Sequence, residues 1–172
     1  MVWWSGLMTK PFSKSLYETN DGAKHQIVTW LTTQGFKAWI NPDQYGIDIL
    51  ADKNEKRYEF EVEVKHNWRG STFPYDTIDF PARKLKVAKP TLENFFAMLN
   101  HERNRVLIIS GQTFLNSPII KKDTIYTKDE SFVNIAISEA KFFDLPEEAL
   151  LDSRNDNNEE QSGTAKTRSK VK

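Results

Sequence analysis

Hydrophobic residues near the start of the chain recur at the spacing of an amphipathic helix. They fall on one helical face, whose members are Leu16, Ala23, Ile27, Trp30 and Leu31. Just before them, Ser15 and Glu18 form a capping box, in which the Glu18 carboxylate reaches back to the Ser15 amide. Gly35 then follows as a C-terminal stop. The pattern predicts a helix from Ser15 to about Gly35.

Strict alternation of apolar and charged residues from Arg57 to His66 predicts a β-strand. One face carries Tyr58, Phe60, Val62 and Val64, and the other carries Glu59, Glu61, Glu63 and Lys65. Two shorter strands are predicted before it, at 36–40 and 45–51, and the polar segment 52–56 contains a hairpin turn. The helix is therefore followed by three successive strands.

The later apolar runs are shorter. Residues 67–72 are predicted as a loop, and Pro81 to Lys89 as a short basic helix with Pro81 in its first turn. Further strands are predicted at 95–99, 106–109, 119–120 and 132–137, and the continuously apolar segment 106–109 is typical of a strand covered on both faces. We predict an N-terminal leader at 1–14, an α/β domain at 15–150 and a disordered polar tail at 151–172.

Composition narrows the classes of protein to which the chain can belong. Its 172 residues include 38% hydrophobic residues, five Trp and eleven Phe, enough for one core. The absence of Cys excludes disulfides, thiolate zinc sites and thiol catalysis. The sequence has no apolar run of about eighteen residues and no recognisable signal peptide, so we expect a cytoplasmic protein without a membrane partner. The formal net charge is zero, which leaves room only for local basic patches.

The acidic face of the strand 57–66 is the first candidate for chemistry. Glu59, Glu61 and Glu63 repel one another, and this repulsion costs free energy unless a cation or well-placed basic side chains offset it. On the preceding strand, Asp48 lies between two Ile residues. A two-residue turn at 54–55 would make cross-strand partners sum to about 109, which places Asp48 opposite Glu61 and diagonal to Glu63.

A slip of two residues would instead pair Asp48 directly with Glu63, on the same face. In either register Asp48 and Glu63 can share one hard cation. Carboxylate oxygens with retained water molecules are the ligands that Mg²⁺ prefers. The pattern therefore predicts a magnesium site between these two strands.

The setting Gly46-Ile47-Asp48-Ile49, followed by Glu63-Val64-Lys65 at the end of a hairpin, resembles the PD-(D/E)XK nuclease superfamily. The resemblance covers roughly residues 15–109 and implies a restriction-endonuclease-like core, with a mixed, mostly antiparallel sheet flanked by helices in the order αβββαβ. It makes Asp48 and Glu63 metal ligands, with the Val64 carbonyl as a further contact. It makes Lys65 the group that orients the attacking water and stabilises charge in the transition state.

The resemblance implies a Mg²⁺-dependent DNA endonuclease, with Mn²⁺ as a substitute metal, that hydrolyses phosphodiester bonds. A site-specific enzyme of the restriction or homing type is the first expectation, and a structure-directed junction resolvase or repair nickase is the alternative. A module of the same fold that binds nucleic acid without cleaving it is the rival from another class. Cutting both strands requires two sites, so we expect a homo-oligomer, most simply a dimer.

Several acidic residues keep two interpretations. Glu61 is either a second metal ligand or the partner of a nearby base such as Arg57. Glu18 matches the acid that some members of the superfamily draw into the site from the first helix, although the capping box also explains it. Asp43, in the literal Pro42-Asp43 dipeptide, is a second candidate for the ligand assigned to Asp48.

Basic and aromatic residues after the strand 57–66 are the candidates for DNA contact. In the predicted helix these are Arg83, Lys84 and Lys86, and in the preceding loop they are Trp68 and Arg69. Lysine and arginine would bind phosphates, and an exposed tryptophan could stack on a base. A solvated helix face and a packed loop aromatic are the competing interpretations.

Overall fold

The computed structural model describes the backbone of residues 14–146 and the side chains of residues 21–146. Its helices are α1 Lys14–Thr33 and α2 Gly111–Asn116, with 3₁₀ helices at Ala82–Val87 and Ile137–Glu139. Its strands are β1 Lys37–Ile40, β2 Ile49–Lys53, β3 Lys56–Val64, β4 Thr77–Pro81, β5 Asn94–Leu99, β6 Arg105–Ser110, β7 Ile119–Lys122, β8 Glu130–Ala136 and β9 Lys141–Asp144.

Six strands form one mixed sheet in the order β1-β2-β3-β5-β6-β9. The β3–β5 pair is parallel, and the other four pairs are antiparallel. The remaining strands form a second, three-stranded antiparallel sheet in the order β4-β8-β7. The predicted fold class, α/β with a mostly antiparallel sheet, is confirmed.

Each face of the six-stranded sheet packs against its own hydrophobic core. On one face, α1 contributes Ala23, Ile27, Trp30 and Leu31, which pack against Phe60, Val62 and Val64 of β3. On the other face, the second sheet and α2 contribute Ile78, Phe80, Phe114, Val133 and Ile135, which pack against Phe96, Met98, Leu107 and Ile109. Strands β5 and β6 are therefore covered on both sides, as the continuous apolar run at 106–109 predicts.

The β2–β3 hairpin has the predicted two-residue turn. Asn54 and Glu55 have φ angles of 52° and 64°, as expected for the two central residues of a type I′ turn. Ile49 pairs with Phe60, so the first of the two predicted registers is confirmed. Because side chains alternate along a strand, this register fixes Glu59, Glu61 and Glu63 on the face opposite the α1 core.

The structure corrects several predicted elements. Residues 81–89 do not form an α-helix: Pro81 ends β4, and only Ala82–Val87 are helical, as a short 3₁₀ helix. Strands β4 and β9 and helix α2 were not predicted, because their polar or short sequences lack a clear period. Strand β2 begins at Ile49 rather than at Tyr45, because the chain before it forms a tight loop.

Some sequence predictions lie beyond what the structure describes. Apart from Lys14, which begins α1, the predicted leader lies outside the described residues, as does the whole predicted tail at 151–172. The predicted domain limits of 15 and 150 therefore stay predictions. Within residues 14–146, no helix is both long enough and apolar enough to cross a membrane.

Candidate active site

Asp48 lies at the end of the β2–β3 hairpin, one residue before β2 begins. One carboxylate oxygen, Oδ2, accepts a hydrogen bond of 2.8 Å from the Val62 amide of β3. The other, Oδ1, is 3.0 Å from the ammonium nitrogen of Lys24 on α1. Since the side chain is only 16% exposed, Asp48 is a fixed and mostly covered negative charge at the point where β2 and β3 separate.

The next two acids along the site, Glu61 and Glu63, share a single cation. The Lys84 ammonium nitrogen is 2.5 Å from Glu61 Oε1 and 3.2 Å from Glu63 Oε2. Lys84 comes from the 3₁₀ helix that follows β4, so this ion pair joins the edge of the second sheet to β3. The Lys84 and Glu61 side chains are 14% and 8% exposed, whereas Glu63 is 29% exposed and is the most accessible of the three.

Burial and the neighbouring charges both shift the pKa values of Glu61 and Lys84. Burial raises the pKa of Glu61, and the nearby Asp48 charge raises it further, against the lowering effect of Lys84. The pKa of Lys84 is also raised: burial lowers it, but the charges of Glu63, Glu61 and Asp48 together outweigh burial. The Lys84 ammonium therefore lies within electrostatic reach of all three carboxylates, and it stays protonated.

Lys65 follows Glu63 on the same strand face, but its ammonium points towards the second sheet. It lies 5.5 Å from the centre of the Tyr75 ring. Burial, together with the charge of Lys122, lowers the pKa of Lys65, while Asp79 and Glu63 oppose that shift. Lys65 is therefore half-buried beside the acids. Its ammonium form is less favoured there than it would be in water.

The chemistry of these side chains fits a hard divalent cation. All the donors are carboxylate oxygens, and Glu61 Oε2 is buried without a hydrogen-bond partner among the described residues. Even so, within residues 21–146 no three Asp, Glu or His side chains converge closely enough to enclose an ion. Instead, Lys24, Lys84 and the Val62 amide engage these oxygens. A divalent ion would have to compete with these lysines for its ligands.

A groove of about 430 Å³ opens beside the acids, between the loop before β2 and the end of the 3₁₀ helix Ala82–Val87. Its lining residues are Asn41, Tyr45, Gly46, Ile47, Leu50, Glu59, Lys86, Val87 and Lys89. Tyr45 is 79% exposed, and Lys86 is exposed as well. Lys89 pairs with Glu59 at 2.6 Å, which neutralises the acid in the groove wall.

The loop that carries Tyr45 is held by its own polar side chains. Asn41 Oδ1 accepts from the Asp43 amide, and Asp43 Oδ1 accepts from the Tyr45 amide. Asn41 Nδ2 also donates to the Ile47 carbonyl. Asp43, the second candidate for the metal ligand, therefore serves as a turn residue here, and Asp48 is the acid next to Glu61.

The structure corrects two of the predicted DNA contacts. Trp68 is completely buried in the second core, where its ring packs against Phe73 and Phe142, so it offers no face to a base. Lys84 is buried against Glu61 and Glu63 rather than exposed to phosphates. Arg69, Arg83 and Lys86 are exposed, as the prediction requires.

The structure answers one further question from the sequence, the partner of Glu61, and locates Val64 and Glu18. Arg57 pairs with Asp52, so the partner of Glu61 is Lys84 and not Arg57. Val64, whose carbonyl was predicted to contact the metal, is the last residue of β3 and precedes Lys65. Glu18 lies within α1, but its side chain is outside the described side chains, and its assignment stays a prediction.

Sequence analysis missed Lys24 and misjudged Lys84. The repulsion among Glu59, Glu61 and Glu63 correctly indicated that a positive charge must face them. The sequence could not show which lysine supplies it, since Lys84 is 23 residues from Glu61 and reaches it only through the packing of the two sheets. Lys24 similarly comes from the helix on the opposite face, and it reaches Asp48 at the end of the strand.

Comparison with known proteins identifies a similar fold and no similar sequence. No family model matches the sequence, and no curated protein does. One solved structure that it resembles is Hjc, a Holliday junction resolvase from the archaeal hyperthermophile Archaeoglobus fulgidus. The two are 12% identical, the match covers 76% of this chain and 95% of that chain, and the TM-score is 0.46.

Proposed function

We propose that this protein is a divalent-metal-dependent nuclease that hydrolyses phosphodiester bonds in DNA, with Mg²⁺ as its metal. The observation that supports the proposal is the pair of Glu61 and Glu63 around the Lys84 ammonium, with Asp48 within its electrostatic reach and Lys65 next along the strand. Placing these carboxylates in partly buried positions on neighbouring strands costs free energy unless cations offset their charge. A divalent ion is one cation that such oxygen donors bind well.

The residues that would hold the ion are Asp48, Glu63 and the Val64 carbonyl, with Glu61 as a further ligand. A bound divalent ion would supply Lewis-acid polarisation of the phosphate and a lowered pKa for water. Lys65 would orient the attacking water and place a positive charge near the phosphate as negative charge develops. Its partial burial supports this role, because an ammonium group with fewer hydrating water molecules interacts more strongly with the reacting group.

The groove beside the acids would take the DNA strand next to the scissile phosphate. Tyr45 offers an exposed ring on which a base can stack, and Lys86 offers a cation for a phosphate. Arg83 and Arg69 would extend contact to the DNA backbone. Cutting both strands of a duplex requires two such sites, so the proposed active form is a homodimer.

Two kinds of substrate fit this site. A site-specific endonuclease of the restriction or homing type would read a duplex sequence, and a junction resolvase or repair nickase would recognise the shape of branched or damaged DNA. Supercoiled plasmid, linear duplex and a four-way junction, each incubated with Mg²⁺, distinguish these substrates. We expect cleavage of at least one of them, and its loss with EDTA and in Asp48→Ala and Lys65→Ala. Absence of cleavage of all three would contradict the proposal, and equal cleavage by Asp48→Ala would show that the assigned residues are wrong.

The second candidate function is a module that binds nucleic acid without cleaving it. It is favoured by one observation: Lys84 already neutralises Glu61 and Glu63, so the acids have a counter-charge without a metal. Binding to the same DNA panel without cleavage at any Mg²⁺ or Mn²⁺ concentration would support this candidate instead.

A further inference from the structure

Lys84 holds the position that a cation would take between two acids of the proposed metal site. Its ammonium nitrogen contacts Glu61 Oε1 at 2.5 Å and Glu63 Oε2 at 3.2 Å. Both oxygens belong to carboxylates that the proposed function assigns to the metal. An ammonium group and a divalent ion cannot both occupy the space between them, since the two cations would repel each other at contact distance.

Lys84 comes from a different element of the fold than the acids, which lie on or next to β2 and β3. It is the third residue of a six-residue 3₁₀ helix, whose first turn has no side-chain cap. Of the apolar residues of this helix, Val87 is buried and Leu85 is partly buried against the second core. Because Lys84 does not belong to β3, its side chain can leave the acids without breaking the pairing of β3. Lysine also has four rotatable side-chain bonds, which give its ammonium a wide range of positions.

The Lys65 ammonium does not occupy the space between Glu61 and Glu63 that Lys84 fills. Its ammonium lies beside the Tyr75 ring, and the charges that most affect it besides burial are those of Lys122 and Asp79 in the second sheet. The two lysines therefore approach the acids from different directions. Lys65 leaves Glu61 and Glu63 open to a metal, whereas Lys84 bridges them.

We propose that Lys84 is a second lysine of the active site, which bridges Glu61 and Glu63 in the metal-free protein and must leave them when a divalent ion binds. The proposal rests on the proposed function, because it takes Glu61 and Glu63 as metal ligands. It gives Lys84 a positioning role: it stabilises the acidic pair before metal binding, and it sets the metal affinity by competing for the same oxygens.

The proposal is tested by titrating the full-length protein with Mn²⁺ in an isothermal calorimeter, without DNA. Lys84→Met removes the competing charge, so we expect it to bind Mn²⁺ about tenfold more tightly than the wild type. Lys84→Arg keeps the charge and should bind no more tightly than the wild type. Lys89→Met is the control, because it breaks a more exposed lysine–glutamate pair on the same strand face, with Glu59, outside the metal ligands. Its affinity should equal that of the wild type.

A second measurement uses the wild-type protein and therefore does not depend on whether a variant folds. Lysine ammonium groups held in buried ion pairs give slowly exchanging ¹⁵N signals, and Mg²⁺ should remove or shift the signal of Lys84. Equal or weaker Mn²⁺ binding by Lys84→Met, no Mn²⁺ binding by any variant, or a Lys84 signal unchanged at saturating Mg²⁺ would each overturn the proposal.

The proposed function has a separate readout. Failure to cut DNA, with the Lys84 effect on Mn²⁺ affinity intact, would contradict the nuclease assignment and leave the competition established. Conversely, DNA cleavage that requires Mg²⁺, combined with unchanged Mn²⁺ affinity in Lys84→Met, would overturn only the role of Lys84.

Discussion

The Asp48 carboxylate takes the place of a backbone acceptor for the Val62 amide, at a distance of 2.8 Å. At this position β2 has already separated from β3, so no carbonyl of β2 is opposite the Val62 amide within the paired residues 49–53. The side chain thereby closes the end of the hairpin and fixes its second oxygen towards Lys24. One residue serves both the strand pairing and the proposed metal site, and these two roles can be separated by mutation.

Asp48→Asn is predicted to keep the structural role and lose the chemical one. The amide oxygen can still accept from Val62, so the loss in unfolding free energy should be small, whereas Asp48→Ala leaves that amide unpaired and should cost about 1–3 kcal/mol. Both variants should lose metal-dependent cleavage, because neither supplies a charged ligand. Urea unfolding and plasmid cleavage measure the two effects. Full cleavage by Asp48→Asn would show that its charge is not used.

Glu61 and Lys84 are predicted to be energetically coupled. Removing either partner leaves the other charge buried, so Glu61→Ala and Lys84→Ala should each destabilise the fold. The double variant should lose less than the sum of the two, with a coupling energy of about 1–3 kcal/mol in urea unfolding. The exposed pair of Arg57 and Asp52 is the comparison, with an expected coupling below about 1 kcal/mol. A purely additive result for Glu61 and Lys84 would contradict the buried ion pair.

Trp68 is predicted to matter for folding and not for binding DNA. It is fully buried among Phe73 and Phe142, so Trp68→Ala should lower the unfolding free energy by about 3–5 kcal/mol. Trp68→Phe keeps most of the packing and should bind DNA as the wild type does. Fluorescence anisotropy with a labelled duplex measures the affinity. Clearly weaker binding by a folded Trp68→Phe protein would return Trp68 to the DNA interface.

The groove next to the acids is predicted to bind DNA through Tyr45 and Lys86. Tyr45→Ala should weaken binding by about 1–3 kcal/mol if one base stacks on the ring. Lys86→Met should weaken binding and lower the dependence of log affinity on log salt concentration by about one. Lys141→Met, an exposed lysine on β9 away from the groove, is the control and should change neither quantity. These measurements use Ca²⁺ in place of Mg²⁺, so that binding is read without cleavage.

The sequence predicts the hairpin at the centre of the site well, because the signals there are local. The alternation along residues 57–66 identifies both faces of β3, and the polar pair Asn54-Glu55 sets a two-residue turn. From these two features the register follows, and with it the position of Asp48 across from Glu61 on the acidic face. The charge repulsion among the glutamates also indicates that a compensating cation is needed.

The second sheet could not be predicted in the same way. Pairing of β4 with β8 joins Ile78 to Ile135 across more than fifty residues, and no local pattern encodes such a contact. That sheet nevertheless decides what surrounds the acids: the chain after β4 delivers Lys84, and β4 and β7 place Asp79 and Lys122 near Lys65. The errors about Lys84 and Trp68 have one cause: both were judged from local sequence, while Glu61 and Phe142, which they contact, are distant along the chain.

The central claim, that Asp48 and Glu63 hold one divalent ion, is tested most directly by locating that ion on the protein. Fe²⁺ in place of Mg²⁺, with ascorbate and peroxide, generates hydroxyl radicals that cleave the backbone close to the metal, and mass spectrometry maps the cuts. We predict cuts around residues 47–49 and 61–65 that excess Mg²⁺ suppresses and that disappear in the Asp48→Asn/Glu63→Gln double variant. Cuts confined to other segments, or an identical pattern in the double variant, would contradict the claim.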